Sequence, residues 1–181
     1  MRKLIAICAV LFLGLAVLTT VSRSQMDKSK PLSPAAKAEF KFADGKAITV
    51  DYSSPRMRGR KIYGDLVPFG KVWRVGANEA TTFVTDANLT VGGKGVPAGA
   101  YTLFAIPEQN KWTLIISKKT GEWGIPYPGE QYDLARVDMK VSELPSPLED
   151  FTITLEKAGT GCTLNLEWAR VRASVDIFGK R

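Results

Sequence analysis

Short runs in which apolar and polar residues alternate make up most of the chain after residue 37, and Gly, Pro, Asn or Asp separates each run from the next. Such alternation places the apolar side chains on one face of a β-strand. No window of twelve or more residues after residue 24 has the apolar period of a helix. The runs cover residues 40–42, 48–52, 81–85, 89–91, 101–106, 112–117, 135–141, 151–155 and 162–168.

About ten short strands with this spacing are typical of a β-sandwich or a β-barrel. Several runs carry a polar face that would point to solvent, which favours the sandwich. The pattern therefore predicts an all-β, single-domain antiparallel β-sandwich over residues 38–181. The length agrees with one domain, because 157 residues follow residue 24 and a domain usually has about 100–200 residues.

The first two runs indicate the length of the turn between them, which lies at Asp44-Gly45. A two-residue loop at 44–45 would place Phe42 and Ile48 on opposite faces of the hairpin. A three-residue loop at 44–46 pairs these two residues and gives the hairpin one apolar face. Because one face must be buried, we predict the odd loop length.

The last strand carries a cysteine and a change of phase. Apolar residues alternate over residues 162–168, and this alternation points Cys162 inward as a small buried side chain. The sequence has no histidine to activate the thiol, which argues against a reactive cysteine. The apolar phase changes between Trp168 and Val171, and the change predicts a bulge or a tight turn near Ala169-Arg170.

Residues 1–24 have the composition of a targeting segment: a basic start, an uncharged apolar run over residues 4–18, and small polar residues after it. This order is typical of a secretory signal peptide. We expect cleavage after Ser22 or Ser24 and export to the periplasm or the extracellular space. The alternative is an uncleaved N-terminal helix that anchors the protein, because the run to Val21 has about 18 residues, near the lower limit of about 17–20 for a membrane span.

The segment after the signal and the net charge bear on the partners of the protein. Residues 25–37 are polar, contain two prolines and show no period, so we predict a flexible linker. Loss of residues 1–24 removes three basic residues and no acidic one, which leaves 22 basic against 18 acidic residues and a net charge of +4. A mildly basic exported domain is not typical of a nucleic-acid-binding protein. We expect a monomer with no nucleic-acid partner and, after signal cleavage, no membrane span.

The absence of histidine from the whole sequence restricts the available chemistry. Histidine is the commonest metal ligand and the usual base near neutral pH. Its absence excludes Ser-His-Asp and Cys-His catalysis and His-based zinc or copper sites. With Cys8 lost in the signal, Cys162 alone forms neither a disulfide nor a thiolate metal site. We therefore expect no cofactor, no metal and no catalytic residues, and the balance favours a protein that is not an enzyme.

The segment over residues 53–82 carries the most unusual chemistry of the chain, SSPRMRGRKIYGDLVPFGKVWRVGANEATT. Three arginines alternate in it, and in an extended conformation they would share one face. Arginine captures a carboxylate or a phosphate through two hydrogen bonds, and nearby aromatic rings offer stacking surfaces. The ligands that suit this chemistry are an anionic glycan, a peptidoglycan fragment or a peptide. The candidate binding residues are Arg56, Arg58, Arg60, Trp73, Arg74, Asn78, Glu79 and Trp123.

The same residues also have a structural interpretation. We expect at least one of the three arginines to be half-buried in an ion pair with an acid such as Asp51, Asp65 or Glu79, while the others face solvent. Trp73 would then belong to the core of the domain. Asn78 would occupy its position because asparagine tolerates a positive φ in a turn.

The loop over residues 121–131, GEWGIPYPGEQ, is the second unusual segment. Its two prolines and three glycines are incompatible with a regular strand. Loops on a rigid β scaffold often carry function. We expect its aromatic residues, Trp123 and Tyr127, either to cover the open end of the sandwich or to line a groove.

A hydrolase of the glycosidase type is the catalytic alternative. It needs two carboxyl groups about 5–9.5 Å apart. No pattern in the sequence brings two acids together. A cell-envelope or glycan-acting enzyme that uses Asp or Glu with Arg therefore stands as the alternative to a binding module. The acids that lie among aromatic residues or arginines are Asp51, Asp65, Glu79 and Asp133.

Two motifs carry a family resemblance: SPRMRGRKIYGDLVPFGKVWRVGANEATTF over residues 54–83 and VPAGAYTLFAIP over residues 96–107. Together they resemble a bacterial family known as domain of unknown function 2911. The resemblance runs from about Phe40 to Ile177 and implies an exported β protein, with no activity attached. The leading hypothesis is therefore a non-catalytic exported binding or cell-envelope-associated module with an arginine and aromatic surface.

Overall fold

The computed structural model describes residues 32–180, and almost all of the regular structure there is β-strand. No helix in this range is long and apolar enough to cross a membrane. Within it, one short 3-10 helix, η1, covers Glu130–Tyr132. The nine strands are β1 (Ala35–Lys41), β2 (Ala47–Ser53), β3 (Thr82–Thr85), β4 (Leu89–Val91), β5 (Lys94–Val96), β6 (Gly99–Pro107), β7 (Lys111–Ser117), β8 (Asp133–Ala158) and β9 (Gly161–Gly179).

The nine strands of residues 32–180 are joined by hydrogen bonds into one antiparallel sheet, in the order β1-β2-β3-β6-β7-β8-β9-β4-β5. This confirms the predicted all-β antiparallel class. The strands number nine rather than about ten, and they form one continuous sheet where the pattern predicted the two sheets of a sandwich. One reason is that two predicted runs, 135–141 and 151–155, lie in a single 26-residue strand, β8.

The sheet begins earlier in the chain than the sequence indicated. β1 starts at Ala35, inside the segment predicted to be a linker, and its side chains alternate between exposed and half-buried positions. Lys37 on its exposed face lies 3.6 Å from the carboxylate of Asp51 on β2. The predicted signal peptide and residues 25–31 of the predicted linker lie outside the described residues.

β1 and β2 form a hairpin with the predicted odd loop length. The register pairs Phe40 with Ile48, so the loop consists of residues 43–45 and is one residue earlier than predicted. The amide of Phe42 donates a hydrogen bond to the carbonyl of Lys46 at 2.8 Å and closes the loop. The register differs from the prediction by two residues, and this keeps the apolar side chains on the same face, where Ile48 is buried.

β9 folds back on itself where the sequence predicts a bulge or a tight turn. Ala169 has a φ of 53°, in the left-handed region that few non-glycine residues adopt. The register against β8 shifts at the same point, because Ala169 opposes Leu148 whereas Val171 opposes Glu143. Side-chain hydrogen bonds then join the two halves of β9. The bonded pairs are Thr163 with Asp176, Asn165 with Ser174, and Glu167 with Arg172.

Because β8 and β9 bend in this way, one sheet supplies both sides of the main core. The buried residues of this core lie between Ile48 and Ile177, so a chain that begins at residue 25 carries all of them. The centre of the core is aromatic, with ring centroids 5.0 to 6.5 Å apart. The rings of this aromatic cluster are Tyr63, Trp73, Trp112, Phe151 and Trp168.

Two buried tyrosines differ in whether the hydroxyl group has a partner. The Tyr52 hydroxyl accepts a hydrogen bond from the amide of Ile153 at 3.0 Å. The Tyr63 hydroxyl is buried and has no partner within residues 32–180. A buried polar group left without a partner costs about 1–3 kcal/mol. We therefore expect Tyr52→Phe to lower the free energy of unfolding by about 2 kcal/mol, and Tyr63→Phe to leave it unchanged or raise it. Urea unfolding of both variants checks this, and equal losses would contradict it.

Cys162 is buried, as the alternation predicts. Burial raises the pKa of its thiol to about 12, and the charge of Asp176 acts in the same direction. The reactive thiolate is therefore scarce near neutral pH. We expect a thiol reagent to label the protein only after unfolding in guanidinium chloride. We also expect Cys162→Ala to lower the free energy of unfolding by about 1 kcal/mol. Rapid labelling of the folded protein would overturn the assignment of an inert thiol.

Candidate functional site

A cleft of about 420 Å³ opens between the segment that follows β2 and the loop that precedes η1. Trp73 and Trp168 of the aromatic cluster line it, so the cleft borders directly on the core. The remaining lining comes mostly from residues 55–77. The full lining is Ser33, Pro55, Arg60, Leu66, Val67, Pro68, Lys71, Val72, Trp73, Arg74, Gly76, Ala77, Ile125 and Trp168.

The segment between β2 and β3 is irregular but firmly attached to the sheet. Trp73 exchanges two backbone hydrogen bonds of 2.8 Å with Ala105 of β6. At Gly76 the chain passes so close to β2 that a Cβ atom would lie 2.9 Å from the carbonyl oxygen of Ser53. Glycine also tolerates the φ of 147° found there. These contacts hold the cleft wall on a rigid support.

The cleft combines an apolar lining with three cationic side chains, Arg60, Lys71 and Arg74. No Asp or Glu among the described residues lines it. An anion in the cleft would therefore meet positive charge with no carboxylate of the lining to compete for it. Placement of cations beside aromatic and aliphatic walls suits a ligand that has both an acidic group and an apolar part.

Arg60 is held by carbonyl groups of the turn that precedes it. Its Nε donates to the Met57 carbonyl at 3.0 Å, and Nη2 donates to the Arg56 carbonyl at 2.7 Å. A guanidinium group has five N–H donors. Two are thus occupied in orienting the side chain, and the remaining donors are available to an acidic ligand.

Arg74 is half-buried beneath the ring of Trp123. Its guanidinium carbon lies 5.5 Å from the ring centroid, and Nη1 donates to the Trp123 carbonyl at 3.2 Å. Burial lowers the pKa of Arg74, although the charge of Glu79 opposes this. Gly124 lets the loop approach, because a Cβ atom there would lie 2.9 Å from the Cβ of Arg74. An acidic ligand bound beside Arg74 would replace part of the interaction with water that the half-buried guanidinium group has lost.

The three alternating arginines do not share one face, which corrects the prediction from the sequence. Arg58 and Gly59 have φ values of 51° and 70°, so the chain turns there instead of running extended. Arg56 is half-buried and its Nε lies 2.9 Å from a carboxylate oxygen of Asp150. Arg58 and Arg60 are exposed. The expected half-buried ion pair is therefore present, but its acid is Asp150 rather than one of the three acids named from the sequence.

The other candidate residues divide between core, turn and surface. Trp73 packs in the aromatic cluster and also lines the cleft, so it fits both interpretations. Asn78 has a φ of 57°, and its Nδ2 donates to the Ser33 carbonyl at 3.1 Å. Its positive φ matches the structural interpretation given from the sequence. Glu79 is exposed and lies outside the cleft lining. Trp123 is exposed, is not among the residues that line the cleft, and contacts the lining residue Arg74.

Three of the eight candidates therefore line the cleft: Arg60, Trp73 and Arg74. Lys71, Leu66 and Ile125 also line it and were missed. Lys71 lies two residues before Trp73, and its charge within the motif was a usable signal. Ile125 lies more than fifty residues after Lys71 in the sequence. It reaches the cleft because of the way the 121–129 loop packs.

Three of the four candidate acids are exposed, and the fourth is in an ion pair. Asp51 and Glu79 both line a depression of about 210 Å³, but both side chains are exposed. A catalytic acid usually needs a desolvated position. Asp65 is exposed, and Asp133 accepts a hydrogen bond from Arg136 at 2.7 Å. Within residues 32–180, no group of three or more acids or cysteines could hold a metal ion.

Tyr127 fixes the loop over residues 121–131 to the sheet. Its ring packs against Phe104 with the centroids 5.2 Å apart, and its hydroxyl donates to Asp133. Burial, followed by the hydrogen bond to Asp133, raises the pKa of Tyr127 to about 12. Tyr127 thus covers a part of the core, while Trp123 remains at the surface beside the cleft.

The sequence of residues 33–177 matches the family described as Protein of unknown function (DUF2911). The chain belongs to this family. The matched range contains all of the residues that line the cleft, so the cleft lies wholly within the family domain. No curated protein and no solved structure matches the chain.

Proposed function

We propose that the protein is a non-catalytic binding module, exported or associated with the cell envelope, that binds an acidic ligand in the cleft. The ligand carries a carboxylate or phosphate group and an apolar or ring-shaped part, as do an anionic glycan, a peptidoglycan fragment and a peptide. In this proposal residues 1–24 direct export and are removed. The single sheet, folded around the core in the manner of a sandwich, then acts as the scaffold for the cleft.

One observation carries the proposal: three cations, and no acid among residues 32–180, line a cleft with aromatic and aliphatic walls. Sites for small molecules are mostly apolar and contain a few placed polar groups. The volume of about 420 Å³ falls in the usual range of about 300–1,000 Å³ for such sites. The walls of the cleft also select a ligand by its shape, which a cluster of cations on an open surface would not do.

The chemistry of recognition follows from the positions of the side chains. Arg60 and Arg74 are suited to donate paired hydrogen bonds to a carboxylate or a phosphate. Lys71 adds a mobile positive charge. A sugar ring or an apolar side chain of the ligand would pack against Trp73 at the border of the core. The half-buried position of Arg74 strengthens its attraction for an anion, because the local dielectric constant is lower than in water.

A thermal-shift screen of the chain from residue 25 onward tests the proposal. The panel contains acidic glycans and muropeptides, each with a neutral counterpart in which the carboxyl group is amidated. We expect the acidic members to raise Tm and their counterparts not to do so. At a hundredfold excess of ligand over Kd, stabilisation reaches about 2.7 kcal/mol. A panel in which no acid exceeds its neutral counterpart contradicts the proposal.

Arg74→Ala should weaken binding of the responding acid by about tenfold to a hundredfold, because it removes hydrogen bonds to a charged group. Arg170→Ala is the matched control, since Arg170 is exposed, pairs with Glu143 and lies outside the cleft lining. Added salt should weaken binding to the wild-type protein. Titration calorimetry measures all three effects, and equal affinities in the two variants would count against the cleft.

A cell-envelope or glycan-acting enzyme is the second candidate. The observation in its favour is that Asp51 and Glu79 line the same depression. Such an enzyme would release product from an acidic glycan, and Asp51→Asn or Glu79→Gln would abolish the release. We expect no product from the wild-type protein, as determined by chromatography of the glycan after incubation.

A further inference from the structure

Large apolar side chains are exposed around the mouth of the cleft. Within residues 32–180, five of the seven exposed large hydrophobic residues line the cleft, contact a lining residue or are chain neighbours of one. Leu66 and Ile125 line the cleft, and Trp123 covers one of the lining arginines. Leu32 and Phe69 adjoin lining residues in the chain. We refer to these five side chains as the apolar rim.

Two side chains of the rim expose more than half of their surface to solvent. Ile125 is 66% exposed and Trp123 is 55% exposed. Isolated apolar residues are normal at a protein surface, but several around one opening mark an interaction site. The two exposed hydrophobic residues outside the rim are Tyr132 and Phe178, and the ring of Tyr132 is already covered by the ammonium group of Lys119.

Cationic residues lie close to Leu66 and Phe69 of the rim in the sequence. Residues 60–71 contain Arg60, Lys61 and Lys71, with Asp65 as the acid among them. Arg60, Lys61 and Lys71 are exposed. Long basic side chains keep their charged heads in water while their stems lie along apolar surface. The charge of the rim is therefore complementary to an anionic surface.

The chain also reaches the domain at the rim. Ser33 lines the cleft, and the guanidinium group of Arg58 donates to the carbonyl of Leu32 at 3.2 Å. The first described residues of the chain therefore lie beside the rim.

We propose that the apolar rim docks on an anionic phospholipid surface and places the mouth of the cleft at the membrane. Tryptophan at the level of the lipid headgroups and aliphatic side chains in the acyl boundary are typical of interfacial binding. Each cation near an anionic lipid surface strengthens binding by about fivefold. The proposal goes beyond ligand binding in the cleft, because it concerns the rim and requires no ligand.

Vesicle flotation with the chain from residue 25 onward tests the docking, since this chain lacks the apolar run. Two vesicle types are compared, phosphatidylcholine alone and a mixture with phosphatidylglycerol. We expect the wild-type protein to float with the anionic vesicles at low salt and to stay unbound with the neutral ones. The double variant Phe69→Ser, Trp123→Ser should bind the anionic vesicles about tenfold more weakly.

Phe178→Ser is the matched control, because Phe178 is exposed at the opposite end of the chain and lies outside the rim. Its flotation should equal that of the wild-type protein. Brominated lipid should also quench part of the tryptophan fluorescence of the wild-type protein, and the double variant should lose that part. No flotation of the wild-type protein, equal flotation with both vesicle types, or equal flotation of the double variant and Phe178→Ser would each overturn the proposal.

The test separates docking from ligand binding. Phe69 does not line the cleft, so the single variant Phe69→Ser should keep the thermal-shift response to acidic ligands while it floats less well than the wild-type protein. Loss of flotation with a retained thermal shift supports docking by the rim. A thermal shift in the wild-type protein without any flotation leaves ligand binding in place and overturns the docking alone.

Discussion

Trp168→Ala is expected to lower the free energy of unfolding by about 3–5 kcal/mol. The side chain is fully buried and stacks on Trp73 with the ring centroids 6.2 Å apart. Its indole nitrogen also donates to the carbonyl of Glu149 at 3.0 Å. Truncation opens a cavity in the aromatic cluster and removes one of the two donors of that carbonyl, which also accepts a hydrogen bond from the Met57 amide at 2.8 Å.

Trp123→Ala provides the matched control for this prediction. Trp123 is exposed and its ring lies over the guanidinium group of Arg74, so its loss should change the free energy of unfolding by about 0.5 kcal/mol or less. Guanidinium unfolding followed by circular dichroism measures both variants. Similar stabilities would show that the aromatic cluster is not the centre of the core.

Gly161→Ala is expected to be the second large effect, with a loss of about 3 kcal/mol, at the upper end for an overpacked site. Gly161 is the first residue of β9, and a Cβ atom there would lie 2.0 Å from the carbonyl oxygen of Ile177. Ile177 lies near the end of the same strand. The two halves of β9 would have to separate to admit the methyl group, because the clash is with backbone atoms.

Gly95→Ala is the control for Gly161→Ala. Gly95 lies in β5, and a Cβ atom there would have no neighbour within 4 Å. We expect a change of about 0.5 kcal/mol or less, or a small gain because alanine restricts the unfolded chain. Thermal unfolding of the two variants compares them. Equal stability of both would contradict the folded-back course of β9.

The strand class could be predicted from the sequence because alternation is a local property. Leu89–Val91 was placed without error, and the odd loop of the first hairpin follows from the parity of Phe42 and Ile48. The change of phase near Ala169 also indicated where β9 bends. What the pattern could not provide is the partner of each strand. The contact of Gly161 with Ile177 depends on two bends in a long hairpin, and no local signal records such a contact.

For the candidate site, too, the sequence predicted local chemistry but not tertiary contacts. Arg60, Trp73 and Arg74 could be named because their chemistry is unusual within a short motif. The common face of the arginines was wrong, since Arg58 takes a left-handed conformation that alternation does not indicate. The role of Ile125 depends on how its loop packs against the sheet. Local chemistry therefore identified the cations, and tertiary packing decided which of them line the cleft.

Binding of an acidic ligand in the cleft is tested most directly by an NMR titration of the chain from residue 25 onward. The ligand is the acidic muropeptide or glycan that gives the largest rise in Tm, and its amidated counterpart is the control. We predict that the largest changes in backbone amide shifts fall on residues 60–77 and 123–125. Changes confined to the depression lined by Asp51 and Glu79, or equal changes with the amidated counterpart, would contradict the assignment of the cleft.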